Sequence, residues 1–551
     1  MTRAGVSVKV AVPATGFGTA RLNQMGRRHP SRLRARGRRT RYNSRVDTPP
    51  AKPHAASAEA GGPRSEGSSR RLLANVGWML LSQGAGKLAG FAFVLIVARG
   101  LGTNDYGYFN FAISFAPLFL IFGAWGINIV VASDIAREPE RVSEVFSSGF
   151  VLRFGLELLG LLACLASAPF FVHHFTPWLT VAIVAAALLL DDVSGYLGNV
   201  FRAFEQMRYQ SVVTLVNRIA STVLALVAVV LGGGLIAVAA MYFLGSLGAL
   251  LLALRTLRRK FPPIRLADRR RELVRRLLRS GFLVGIASAL SMALFRIDTV
   301  LLQGIRGTRD VALYGVAYRF IDSFLFFAWG VVNAAIPLLA RAEGREGRAR
   351  AFQLPVALLL AFYLPLLVWP VFCSRWLVVT LFSDRYAAAA PAVPWLAASA
   401  AFYAAAYLAR VSAIAAGRRV ALVWIAAVGV AVNVGVNAVV IPRHGFVGAA
   451  VVTFASEVLD AALLLMLAGR ADLTLYLSRL AAVPLTAAAA MAVFLFATGL
   501  RDAGAFVAGG LVYVAALAVA ARLIAPDESR RALALLRRRA SPRAPVPESP
   551  V

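Results

Sequence analysis

Residues 282–329 read FLVGIASALSMALFRIDTVLLQGIRGTRDVALYGVAYRFIDSFLFFAW. The stretch holds two apolar runs, each long enough to cross a bilayer, yet Arg296, Asp298, Arg319 and Asp322 stand inside or at the edges of those runs. Charge at that depth costs free energy and marks a functional region. The stretch also echoes an earlier one. Gly307-Thr308-Arg309-Asp310 followed by Tyr314-Gly315 repeats Gly102-Thr103-Asn104-Asp105 followed by Tyr106-Gly107. A duplicated membrane machine is the first expectation.

Composition agrees. With 59% hydrophobic and 16% charged residues over 551 positions, the chain has more apolar segments than a water-soluble core can hide. The formal net charge of +32 raises the question of nucleic acid, and the placement of the basic residues answers it. They concentrate before Leu72, between Arg255 and Arg279, and after Arg530, all outside the apolar segments. That is the pattern of a membrane topology with its basic loops inside, so membrane lipid is the expected partner and nucleic acid is not. Cys164 and Cys373 lie far apart in apolar surroundings, which indicates neither a disulfide framework nor a metal site.

Residues 1–71 are rich in Arg, Ser, Pro, Ala and Gly and lack apolar periodicity, the composition of a disordered basic tail. Ser69-Arg70-Arg71-Leu72-Leu73 has a superficial likeness to a twin-arginine signal; basic residues anchoring the first helix is the simpler reading. From Leu72 onward about fourteen apolar segments follow, by the criterion of about twenty residues per span. They lie near 72–98, 107–133, 147–172, 177–202, 211–232, 235–256, 281–303, 311–338, 352–373, 389–416, 420–440, 446–468, 477–499 and 504–524. If the first helix leaves the cytoplasm, the cytoplasmic loops hold most of the Arg and Lys, and both termini lie inside. The run DRRRELVRRLLR, Asp268 to Arg279, is either an amphipathic helix on an anionic leaflet or a solvated basic loop, and it falls where a linker between halves belongs.

The repeat extends beyond its first motif. Ala124-Trp125-Gly126-Ile127-Asn128 is matched by Ala328-Trp329-Gly330-Val331 and, one residue late, Asn333; Val229-Val230-Leu231 is matched by Val439-Val440-Ile441. Six helices per unit is an even number, so the copies are parallel and related by an axis along the membrane normal. The expected fold is an all-α integral membrane protein with two six-helix lobes around a central cavity plus two C-terminal helices. The expected divisions are a tail at 1–71, an N-lobe at 72–256, a linker at 257–280, a C-lobe at 281–468, two added helices at 469–525 and a tail at 526–551.

Two patterns carry a family likeness. Ala98-Arg99-Gly100-Leu101-Gly102 leads to Asp105-Tyr106-Gly107-Tyr108-Phe109, and Arg296-Ile297-Asp298 leads to Gly304, Tyr314-Gly315 and Ala317-Tyr318-Arg319. In order, spacing and helix count the chain resembles the polysaccharide transporter and O-antigen flippase family of the multidrug/oligosaccharidyl-lipid/polysaccharide exporter superfamily. The resemblance covers roughly Arg71 to Arg470. It implies flipping of a polyprenyl-pyrophosphate-linked oligosaccharide between the leaflets of the plasma membrane, with polysaccharide assembly proteins as candidate partners. It also implies that the two extra helices are allowed, since in the related lipid II flippases they help line a groove for the lipid tail.

The charged residues fit such a substrate. Lys87 lies mid-helix among glycines, and the repeat offset puts it one turn from Arg296 on the same face of the equivalent helix. Two cations near the midplane suit a pyrophosphate, to which Arg offers bidentate bonds and Lys a point charge. Against this stands a structural ion pair or a side chain reaching to the interface. Arg218 and Arg410 have no acid three or four positions away, so a ligand or an acid on another helix must balance them. Both Arg319–Asp322 and Arg153–Glu157 have the spacing of self-neutralising pairs, although Arg319 stays a candidate for substrate contact. Asp191 (beside Asp192), Asp298, Asp322, Glu457 and Asp460 are the candidates for ion coupling, and pairing with arginines of other helices explains them equally well. There is no Walker loop and no soluble catalytic constellation, so the expectation is a transporter rather than an enzyme, without a cofactor, driven by a Na+ or H+ gradient or the membrane potential. A multidrug or toxin exporter of the same superfamily is the first alternative; a membrane glycosyltransferase or glycan polymerase is the second.

Overall fold

The computed structural model describes residues 82, 84–124, 126–340, 344–415, 417–468 and 479–526, and all of their regular structure is helical. The expected basic tails, 1–71 and 526–551, fall outside the described residues apart from residue 526. Helices are the economical answer to this composition, because each satisfies its own backbone polar groups within the hydrocarbon. In chain order they are α1 (84–100), α2 (Thr103–Ala124), α3 (Ile127–Arg137), α4 (Val142–Ser167), α5 (Phe175–Ala203), α6 (Met207–Val230) and α7 (Leu235–Lys260). After the basic connection come α8 (Arg271–Ile305), α9 (Thr308–Ala340), α10 (Gly344–Phe382), α11 (Val393–Ala415), α12 (Arg419–Ala468), α13 (Arg479–Thr498) and α14 (Ala503–Ile524).

Among the described residues, 12 helices are long and apolar enough to span a membrane. The described part of α1 is 17 residues long, a little under one span. A further pass comes from α12, whose 50 residues are broken at Gly445, with φ 57° and ψ −144°. Asn433 before the break donates to Ser456 after it, so the two halves lie side by side as a hairpin. The positive φ at Gly445 is the left-handed conformation that makes the reversal, and the Asp310 carboxylate accepts from the Phe446 N–H at 3.3 Å, capping the second half. Thirteen passes result among the described residues, near the expected boundaries.

Helices α5, α6 and α7 pack together with α2 and α4, and α8, α9, α11 and α12 form the corresponding group in the second half. The last two helices lean on α10: the Trp369 indole donates to the Phe506 carbonyl at 3.0 Å, and Tyr513 donates to the Ala361 carbonyl at 2.8 Å. The basic run is not a separate surface helix. Only 261–270 is free of α-helix there, and residues from Arg271 onward are the first turns of α8, whose 35 residues span about 52 Å, well beyond the hydrocarbon. Leu273 and Leu277 pack against Phe261 and its neighbours, whereas Leu278 is exposed. The connection is stapled to the start of α4: Ser143 donates to Asp268 at 2.6 Å, Ser147 to the Arg265 carbonyl at 2.8 Å, and Arg270 pairs with Glu144 at 2.8 Å. Arg276 pairs with Asp134 of α3.

The repeated motif occupies the same turn in both halves, with α2 beginning at Thr103 and α9 at Thr308. Its glycines do more than make turns. A Cβ on Gly107 would lie 2.3 Å from the Thr308 carbonyl oxygen, and one on Gly315 would lie 2.4 Å from Asn110 Nδ2. Each copy's Tyr-Gly glycine is therefore where the other copy's helix crosses closest. At this end, opposite the arginine-rich one, Arg385 donates to the Leu101 carbonyl at 3.2 Å and Tyr386 to the Ala98 carbonyl at 2.9 Å, capping the end of α1 from the second half. The halves are closed together here. Gly107→Val and Gly315→Val should each push these ends apart, at a cost of about 1–3 kcal/mol to the closed arrangement. Spin labels at Asn104 and Arg309 should read a longer distance in both variants, and an unchanged one in Gly102→Ala, where an added Cβ meets nothing within 4 Å.

Candidate functional site

Four cations from both halves converge between the lobes. Lys87 of α1 lies within electrostatic range of Arg218 on α6, Arg296 on α8 and Arg319 on α9, with Asp322 as the carboxylate among them. Counted along the helices, Arg296 is nine residues before Ile305 and Arg319 is 11 after Thr308, so both lie roughly 14–17 Å from that end, near the middle of the hydrocarbon. The spacing expected from the repeat, Lys87 and Arg296 facing the same region, is what the structure contains. Arg319 meets Asp322 at 3.1 Å, as their three-residue spacing requires, and also donates to Asn110 of α2 at 3.2 Å. Its Nε is a buried donor with no hydrogen-bond partner among the described residues. Arg296 lines a crevice of about 10 Å³, the size of one water, together with Asn110, Ser114, Thr299, Gly315, Tyr318 and Arg319. Arg218 lies three turns inside α6, deeper than a position that reaches easily to the interface, and its stem is 3.8 Å from where a Cβ on Gly86 would be. The Arg218 stem therefore packs beside the turn that carries Lys87, at a distance where an added Cβ would make ordinary contact.

Two residues beyond Arg296 on the same helix, Asp298 points the other way, into the second lobe. It is 1% exposed. One carboxylate oxygen accepts from Asn437 at 2.8 Å; the other accepts from Thr453 at 2.6 Å and Tyr314 at 2.9 Å. Asn437 in turn reaches the Asn433 side-chain oxygen at 3.1 Å. Among the described residues these hydrogen-bond partners are all neutral. The Asn437 side-chain oxygen is buried without a partner among the described residues. The site therefore consists of one carboxylate ringed by hydroxyl and amide groups, with an amide oxygen left over beside it.

The remaining candidates are placed as follows. Arg410 meets Asp460 at 2.6 Å, so the acid that its helix lacks comes from α12, and neither joins the cluster around Lys87. Glu457 keeps a buried oxygen without a hydrogen-bond partner among the described residues. Asp191 accepts from Asn217 at 2.6 Å and Tyr242 at 3.3 Å, one layer behind Arg218. The Arg153–Glu157 pair forms at 2.6 Å, buried, and extends to Asp192 at 3.5 Å and Asn128 at 2.6 Å. Several participants are not among the sequence candidates: Asn110, Asn433, Asn437 and Thr453, with Tyr314 singled out there only as part of the repeated motif. Their signal was present, since buried amides on apolar helices are costly unless bonded, and Asn433 and Asn437 share a helix face at four-residue spacing.

Comparison with known proteins places this geometry. Residues 72–343 match the model of the family described as polysaccharide biosynthesis protein. An uncharacterized membrane protein of Methanocaldococcus jannaschii is 22% identical over 418 residues, covering 70% of this chain and 81% of its own length. Among solved structures, the lipid II flippase MurJ in an inward closed conformation aligns with a TM-score of 0.66 at 15% identity, over 80% of this chain and 97% of that one. An inward-facing multidrug resistance transporter of the MATE family aligns at 0.57 and 16%, over 71% and 95%. At such identities these likenesses speak to the fold, which is that of membrane transporters, and the fold agrees with the repeat and the helix count. Over residues 72–343, the first lobe and the start of the second, the chain matches the polysaccharide biosynthesis family, and its fold is the one shared with these membrane transporters.

Proposed function

We propose that the chain is a secondary transporter that flips a polyprenyl-pyrophosphate-linked oligosaccharide across the plasma membrane by alternating access. One observation carries the reading: Lys87, Arg218, Arg296 and Arg319 gather near mid-membrane with Asp322 among them and Asp191 behind Arg218, so the cations outnumber the nearby acids. Isolated cations in that setting are expensive, so an excess of them suits an anionic headgroup that completes the balance when bound. A pyrophosphate has the charge and the acceptor oxygens to do so, with arginine donating in pairs and lysine as a compact charge. A cationic drug would find the wrong sign of field.

In this reading Asp298 holds the coupling ion. A carboxylate buried among neutral donors costs several kcal/mol unless a proton or a small cation joins it. Oxygen ligands suit a hard cation, and a turn of the Asn437 amide would bring its unpartnered oxygen toward such an ion. Arg296 and Asp298 sit on one helix, so filling one site bears on the position of the other.

Arg296→Ala should abolish surface glycan while the protein stays in the membrane and the lipid-linked precursor accumulates inside. In proteoliposomes its flipping rate should fall by about tenfold to a hundredfold, the loss of one or two charge-assisted hydrogen bonds. Normal surface glycan in this variant would remove the headgroup assignment. For the ion, Asp298→Asn should make flipping indifferent to an imposed Na+ or pH gradient that accelerates the unaltered protein. If Na+ is the ion, raising it to about 100 times its dissociation constant should stabilise the unaltered protein by about 2.7 kcal/mol and leave Asp298→Asn unmoved. If the ion is a proton, neither protein should respond to Na+.

A further inference from the structure

Beside the cations lies an aromatic side chain that the headgroup reading does not use. Trp329 is on α9, seven residues and about 10 Å beyond Asp322 toward the arginine-rich end. Asp322, Phe326 and Trp329 fall at positions four and three apart, one stripe of the helix. Although α9 is largely packed, Trp329 is 38% exposed and Phe326 45%. The polar edge of the indole is already spent, since Nε1 donates to the Tyr403 hydroxyl at 3.0 Å. Tyr403 is itself held by Phe295, edge to face at 5.4 Å, and lies parallel to Tyr407 at 6.0 Å. The ring is thus fixed in orientation, and what it offers is a face.

That face is covered by a charge from the other lobe. Lys87 Nζ stands 5.3 Å from the Trp329 ring centroid, with no salt bridge to compete for it among the described residues. A cation over an indole is attracted to the ring, but a phosphate oxygen offers the ammonium a stronger, charge-assisted hydrogen bond. An arriving pyrophosphate therefore draws Lys87 off the ring toward Arg218, Arg296 and Arg319, and the indole face is uncovered at the moment the first sugar arrives beside it. The C–H face of a sugar ring is apolar and flat, and a rigid aromatic surface fixed by a hydrogen bond at its edge suits it. Seven residues along a helix is about the reach of a pyrophosphate and its first sugar.

We propose that Trp329 is a sugar-stacking subsite for the glycan of the lipid-linked substrate, capped by Lys87 until the pyrophosphate removes the cap. This rests on the assignment of the cation cluster to the pyrophosphate. It adds that sugar binding depends on headgroup binding, so a free oligosaccharide is a poor ligand for the intact protein.

The test uses the full chain in nanodiscs and two probes, undecaprenyl pyrophosphate alone and the same lipid carrying one N-acetylglucosamine. The intact protein should bind the sugar-bearing probe roughly tenfold more tightly. Trp329→Ala should lose that increment and Trp329→Phe should keep most of it. Lys87→Ala should weaken both lipids, yet bind free chitobiose better than the intact protein does, and the gain should vanish in the Lys87→Ala/Trp329→Ala double variant. An increment that survives Trp329→Ala, or a Trp329→Ala variant that weakens both probes alike, overturns the stacking subsite. A Lys87→Ala variant with no gain for chitobiose overturns the cap. Failure of the intact protein to bind either lipid would count instead against the pyrophosphate assignment on which the proposal rests.

Discussion

The cost of charge in hydrocarbon governs this molecule. Every ionised side chain in the middle of the bundle must find an opposite charge, a set of hydrogen-bond partners, or a ligand. Arg153 takes the first two routes, meeting Glu157 and Asn128, and Arg410 takes the first with Asp460. Arg319 is partly satisfied, with Asp322 and Asn110 on two of its nitrogens and the third without a partner among the described residues. Lys87 rests over an indole, an attraction weaker than an ion pair. The degree of satisfaction falls toward the seam between the lobes, and the seam is where an anionic substrate would complete the balance.

The fold was legible because its signal is local and repeated. Apolar length gave the spans, and the twice-written Gly-Thr-x-Asp turn gave the duplication, since α2 and α9 begin at the corresponding threonines. The hairpin at Gly445 was read as two segments from composition alone. The site was legible only in part. Helical spacing predicts which charges share a face of one helix, and it placed Arg319 with Asp322 and aligned Lys87 with Arg296. It is silent about partners on other helices. Asp298 lies 139 positions from Asn437 and 155 from Thr453, so nothing in its neighbourhood announces the cage. Arg410 and Asp460, 50 positions apart, are the same case. In the sequence the glycines of the Tyr-Gly pairs show only the repeat, whereas their absent side chains are what lets the lobes touch.

The two lobes are alike in fold and unlike in their buried polar groups. In the first, Asp191 shares Asn217 and Tyr242 and lies close behind Arg218, while Arg153 serves both Glu157 and Asp192. In the second, Asp298 has only neutral partners. The two lobes thus share a scaffold and differ in how their buried acids are matched. An acid already matched to arginine gains little from binding an ion; an unmatched one gains most. That difference is the physical reason for assigning coupling to the second lobe.

Coupling also needs a mechanical link, and α8 and α9 provide one. Arg296 and Asp298 are two residues apart on α8, so they project to opposite sides of the helix, one to the seam and the other into the lobe. On α9, Tyr314 donates to Asp298, while Tyr318, one turn later, lines the crevice of Arg296. A shift that tightens the oxygen cage around an ion therefore moves the same two helices that set the position of Arg296, Arg319 and Tyr318. Those helices also carry Gly315 and Thr308, which meet α2 where the lobes close. The proposed ion site, the proposed headgroup site and the closed end are thereby attached to one pair of helices. Because packed interfaces of this kind hold discrete arrangements and do not deform smoothly, under the proposed mechanism a small displacement at Asp298 would be transmitted to the contact at Gly107 and Gly315 as a choice between closed and open.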